Sequence, residues 1–138
     1  NEITRVYYSN RFFNSFEIET KALIKSCYDE LKRWYNCNHQ YIIDLDCSLY
    51  SCDILDFELL YVNEIEVYAA TYSNMEGRCY DAIEMYSEIV SVLQPYSENN
   101  NEVLQKIASC YAHIAMIYNL LGDRVLIKEY IDKTLPTI

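Results

Sequence analysis

Only two glycines (Gly77 and Gly122) and two prolines (Pro95 and Pro136) punctuate a chain of 138 residues. Average usage would supply about 7 and 5 per hundred residues. A β-sandwich or barrel turns about every ten residues and draws on Gly and Pro to do so, so an all-β fold is excluded. Glycine-rich phosphate loops are missing as well, which removes the α/β enzymes built on them. Hydrophobic residues make up 51% of the chain, too many for a disordered segment. A chain of this length buries about two-thirds of its unfolded surface. It therefore needs no metal to complete a core, and an all-α single domain is what remains.

Apolar residues recur at three-and-four spacing from end to end, which predicts six or seven helices. The first stretch, Glu2 to about Asn14, carries Ile3, Val6, Tyr7 and Phe13. A second, Glu17 to Tyr35, is striped by Leu23, Ile24, Cys27, Leu31 and Trp34, and Asn36-Cys37-Asn38 is expected to break it. His39 to Ser51 reads as a third helix. Asp56 to Met75 reads as a fourth, with Tyr61, Ile65, Tyr68, Tyr72 and Met75 on one side and Asp53 or Asp56 as its cap. Gly77 ends it, and Arg78 to Leu93 forms a fifth along Cys79, Ala82, Ile83, Tyr86, Ile89, Val90 and Leu93. Pro95 and a polar run stop that helix. Asn100 or Asn101 caps a sixth along Leu104, Ile107, Tyr111, Ile114, Tyr118 and Leu121, which Gly122 ends. Asp123 to Leu135 is the last, with Ile127, Tyr130, Ile131 and Leu135. Connections this short make neighbouring helices antiparallel.

Lys and Arg total 11 against 21 Asp and Glu, a formal net charge of −10. Such a surface repels phosphate backbones, so no direct nucleic-acid contact is expected of this segment. From Trp34 to Gly77 there is no Lys or Arg, while Asp44, Asp46, Asp53, Asp56, Glu58, Glu64, Glu66 and Glu76 all fall there. That stretch is either a solvated acidic face or a field that attracts a basic partner. The six cysteines, at 27, 37, 47, 52, 79 and 110, form no CxxC pair. Cys27, Cys79 and Cys110 sit in apolar stripes, as free buried thiols do, so a reducing, cytoplasmic setting is expected. No apolar run is long enough to span a membrane, and none is expected. The chain opens on Asn1 rather than Met, which suggests a piece of a longer protein.

The two glycines lie 45 residues apart. Superposing them sets Ala70 against Ala115, Asn74 against Asn119, Met75 against Leu120, Glu84 against Glu129 and Tyr86 against Ile131. Each unit (56–95 and 101–135) is a helix, a tight glycine turn and a second helix, and such units bury their faces only by stacking. Small residues at 70, 82 and 115 would let helix backbones approach, with aromatics filling the gaps between hairpins. The second unit resembles a tetratricopeptide repeat, with Tyr111, Ile114-Ala115, Tyr118 and Gly122-Asp123 in the pattern's slots. Ala69-Ala70, Gly77, Ala82 and Tyr86 match in the first unit. Ile127 and Glu66 depart from the pattern, and the period exceeds the usual 34 by about three helical turns. Residues 1–55 match only in being helical.

The segment Gly77 to Tyr86, followed by Tyr111 to Asp123, is also similar to the C-terminal regions of helix-turn-helix regulators of Gram-positive bacteria. These are of the xenobiotic-response-element (XRE) type, including Rgg/PlcR-like pheromone sensors. The resemblance implies a degenerate right-handed superhelix that dimerises and binds a short peptide or partner on its concave face, controlling a DNA-binding domain outside this segment. By the same resemblance the groove is lined by Glu64, Val67, Thr71, Asn74 and Met75 in one unit, and by Ser109, Ala112, Met116, Asn119 and Leu120 in the next. Asn74 and Asn119 can each donate and accept, and so could clamp an extended peptide backbone; alternatively, each satisfies carbonyls at its own helix end. Most tyrosines and Trp34 recur at helical spacing and read as core. A stand-alone scaffold for protein–protein interaction is the alternative function, and a helical enzyme the second. Asp44-Leu-Asp46-Cys-Ser48 opens like a calcium loop but has Leu49 where glycine is required and Leu55 where the bidentate Glu belongs. His39 and His113 lie in no ligand or triad spacing. No metal, cofactor or catalytic residue is expected.

Overall fold

The structure, a computed structural model, describes residues 22–40, 54–75 and 77–137. Among these residues every regular element is helical: α1 (22–40), α2 (Ile54–Ser73), α3 (Cys79–Leu93), a 3₁₀ turn (Gln94–Tyr96), α4 (Asn101–Leu121) and α5 (Arg124–Thr137). The all-α class is as expected. The expected first helix and residues 41–51 of the expected third lie outside the described residues.

Local chemistry explains most helix ends. The Asn100 side chain accepts from the Val103 amide at 3.2 Å and caps α4. Gly122 ends it in the left-handed region at φ +78°. The Gly122 amide donates to the Asn119 carbonyl, and the Asp123 amide to that of Tyr118, the paired bonds of a Schellman turn. Asp123 then caps α5 by accepting from the Leu126 amide at 3.1 Å. One helix thus stops and the next starts within two residues. Gly77 takes the same conformation at φ +82°. Pro95 turns the end of α3 into the 3₁₀ turn. Asp56 lies in the first turn of α2 rather than at its cap, where its charge suits the helix dipole.

The asparagines at 36 and 38 do not end α1, which continues to Gln40. Asn costs a helix only about 0.7 kcal/mol relative to Ala. Tyr35 and His39, on either side of the expected break, are both bonded to Glu58 of α2. The buried stripe of α1 is also turned from the expected one. Ile24, Tyr28 and Tyr35 are buried, whereas Leu23 and Trp34 are largely exposed. Trp34 is a lid on Phe57 at 5.3 Å between ring centroids rather than core.

Each helix from α2 onward packs on the next. The core joins Tyr61, Ile65, Ala69 and Tyr72 of α2, Ala82, Met85, Tyr86, Ile89 and Leu93 of α3, and Ile107, Cys110, Ile114 and Ile117 of α4. The 45-residue offset reappears in burial: Val62 and Ile107, Ile65 and Cys110, Ala69 and Ile114, Tyr72 and Ile117 are all buried. The small buried residue of α2 is therefore Ala69, fully buried, and not Ala70, which is exposed. Helix α3 packs on both α2 and α4; α5 packs on α4 and keeps none of its residues 124–134 fully buried.

Two outcomes follow from this packing. A Cβ on Gly122 would meet nothing within 4 Å, so Gly122→Ala carries only the left-handed backbone cost of about 1–2 kcal/mol, a melting temperature lower by about 3–8 °C. Gly122→Asn should lose clearly less, because Asn tolerates that region. In urea titrations Ala69→Leu should cost about 1–3 kcal/mol by overpacking, while Ala70→Leu stays within about 0.5 kcal/mol.

Candidate functional site

The residues that the resemblance implies for a groove fall on and beside α2 and on α4. On α2 and just past its end, Glu64, Val67 and Asn74 are exposed and Thr71 is half-buried. At the same offset on α4, Ser109, Met116, Asn119 and Leu120 are exposed and Ala112 is half-buried. Lys106 ties the two helices together, its Nζ donating to Asn63 Oδ1 at 2.9 Å and lying 3.5 Å from Glu66. Met75 packs against the core instead of lying open on the face.

These residues do not all meet at one cavity. Ala112, Met116 and Asn119 line a groove of about 370 Å³ between α4 and α5, with Ala115, Ile127, Ile131 and Thr134 completing it. Ser109 lies one turn earlier on α4, its carbonyl accepting from His113 Nδ1 at 2.7 Å. Glu64 and Thr71 lie on α2 and Asn74 just past its end, all outside that groove. The two asparagines differ in their bonding. Asn74 Nδ2 donates to the Ala70 carbonyl at 3.0 Å and so serves its own helix end. Thr71 does likewise toward the Val67 carbonyl at 2.9 Å. Asn119 presents its side chain along the groove.

A second cluster sits where α1 meets α2 and α3. Glu58 is the one buried charged residue among those described, 1% exposed. Its two carboxylate oxygens accept from the Tyr35 hydroxyl and face His39 Nε2, each at 2.6 Å. The Tyr35 ring stacks on Tyr61 at 3.8 Å between centroids, and on His39 at 4.8 Å. The Tyr61 hydroxyl donates to Glu88 at 3.3 Å. Burial pushes the phenols of Tyr28, Tyr35 and Tyr61 far above their usual range, and nearby carboxylates add to the shift, Glu88 for Tyr28 and Tyr61 and Glu58 for Tyr35. In the sequence Glu58 belongs to the acidic stretch that reads as a solvated face or as a field for a basic partner, and not as core. The signal that could have found it is its place three residues before Tyr61 and seven before Ile65, in register with the apolar stripe.

Elsewhere, burial pushes the Cys110 thiol up to about 12, so it stays protonated and unreactive at neutral pH. Cys27, Cys37, Cys79 and Cys110 are free. Among the described residues no three His, Cys, Asp or Glu side chains are grouped as metal ligands, and no helix is long and apolar enough to cross a membrane. The calcium-like run at 44–48 lies outside the described residues. No family model, curated protein or solved structure matches the chain.

Two measurements check the Glu58 cluster. Tyr35→Phe leaves one buried carboxylate oxygen a partner short and should cost about 1–3 kcal/mol in urea unfolding. A phenol whose folded pKa is raised adds stability below its unfolded value near 10, and that stability is lost as pH rises further. Absorbance titration should therefore leave part of the tyrosine signal un-ionised until the fold opens. Tyr28, Tyr35 and Tyr61 should ionise only together with alkaline unfolding.

Proposed function

We propose that this chain is a helical-repeat binding domain that takes a short peptide, or an extended segment of a partner protein, in the groove between α4 and α5. The observation that carries the reading is the groove beside Asn119. It offers a mostly apolar floor of Ala112, Ala115, Met116, Ile127 and Ile131 with one amide on its edge. Its volume falls at the lower end of the range of ligand pockets, about 300–1,000 Å³. An apolar anchor side chain fits such a floor, while an amide reads peptide backbone without regard to sequence.

The similarity to the repeat regions of helix-turn-helix regulators supports a sensing role, with this segment controlling a DNA-binding domain. Helix α5 is the natural responsive element, since it has one packing neighbour among the described helices and supplies half of the groove. A ligand that bridges α4 and α5 favours one docking of α5, and that preference is what a connected domain would feel.

Peptides selected on the intact chain from a random displayed library provide the test. Titrated by calorimetry, they should bind about ten-fold more weakly to Asn119→Ala and lose measurable binding to Met116→Glu. Both side chains are exposed, so stability should change by no more than about 0.5 kcal/mol. Selected peptides whose affinity neither substitution alters would overturn the reading.

A further inference from the structure

A second cavity, of about 300 Å³, opens between the C-terminal end of α1, the start of α2 and the end of α3 with its 3₁₀ turn. Its walls are the rings of Tyr35, His39, Pro95 and Tyr96, and its polar groups are Ser91 and the carboxylates of Glu58 and Glu88. No Lys or Arg lines it. Two carboxylic side chains and one imidazole therefore line it, so acidic groups outnumber basic ones. The phenols cannot change that balance at neutral pH, because burial holds them in the neutral form.

The two acids have different jobs. Glu58 is fully buried and both of its oxygens are engaged, by Tyr35 and His39. It fixes the wall and sets the field. Glu88 is half-buried, and its only hydrogen bond among the described residues is the long one from Tyr61, at 3.3 Å. Outside the cavity lining, the Tyr28 hydroxyl is buried with no hydrogen-bond partner among the described residues and feels the charges of Glu88 and Glu84. A low-dielectric, ring-walled cavity strengthens the attraction between a carboxylate and an incoming cation.

We infer that this cavity is a binding site for an organic cation, a guanidinium or alkylammonium group, with Glu88 as its ion-pair partner and the Tyr35, His39 and Tyr96 rings enclosing its stem. Arginine and lysine side chains of a polypeptide carry that chemistry, and so do free diamines and agmatine. The site lies apart from the α4–α5 groove and does not depend on it.

The test is a titration of the intact, isotope-labelled chain with agmatine, followed by NMR, beside the uncharged analogue pentylurea. Agmatine should saturably shift the backbone signals of Tyr35, His39, Glu88 and Ser91, and pentylurea should not. Glu88→Gln should weaken agmatine about ten-fold, the loss of one charge-assisted contact. Ser91→Lys, an exposed change that sets an ammonium one turn from Glu88, should compete with the ligand in the same way. Asn119→Ala should leave agmatine binding unchanged. An acetylated Gly-Arg-Gly amide that binds more tightly than agmatine assigns the site to a polypeptide side chain; the reverse order assigns it to a small amine. Absence of saturable shifts, equal binding of pentylurea, or agmatine affinity unaffected by both Glu88→Gln and Ser91→Lys would overturn the inference.

Discussion

Helix α3 has apolar residues on two sides, and the rest of the structure is arranged to cover both. Ala82, Met85, Tyr86, Ile89 and Leu93 are essentially excluded from water, between α2 on one side and α4 on the other. Burying side chains of this size contributes about 1.5–3 kcal/mol each before the entropy of ordering them is subtracted. Helix α2 gains a further neighbour in α1, joined through Glu58 and the Tyr35–Tyr61 stack. Among the described helices α5 packs chiefly on α4, and its Val125 and Ile131 are left in solvent. The described residues therefore grade from a helix covered on two sides, α3, to one covered on one side, α5.

The parts legible in the sequence are those governed by local backbone chemistry. Gly122 and Asn100 announced a helix stop and a helix start because a positive φ and a side-chain cap are properties of one or two residues. The 45-residue spacing was legible because both glycines hold a positive φ, although α4 runs up to Gly122 while α2 stops at Ser73, short of Gly77. What was misread depends on the third dimension. Asn36 and Asn38 carry a real local signal that Tyr35 and His39 override by reaching across to Glu58. The stripe of α1 is ambiguous by count, because Cys27 and Trp34 on one register match Tyr28 and Tyr35 on the next. Ala69 and Ala70 are identical in sequence, and only the partner helix decides which is buried. The periodicity of α5 correctly implies an amphipathic helix but says nothing of whether a neighbour covers it.

The candidate sites divide along the same line. Met116 and Asn119 entered through the resemblance to tetratricopeptide hairpins, and in the structure both line a groove that α5 completes. The Glu58 and Glu88 cavity was not identifiable. It needs residues from α1, α2 and α3 and the 3₁₀ turn, spread over sequence positions 35 to 96. An acid in an acidic chain gives no local hint of being buried. The two places also differ in chemistry. One is mostly apolar with a single amide, whereas the other sets two carboxylates among aromatic rings.

Native-state hydrogen exchange tests the layered account most directly, because it reads the opening free energy of each helix separately. A middle helix covered on two sides and a terminal helix covered on one predict the slowest exchange along α3 and the facing turns of α2 and α4. The amides of α5 should exchange through a separate opening of lower free energy. Protection of α5 equal to that of α3, in a single all-or-none unit, would contradict this graded packing.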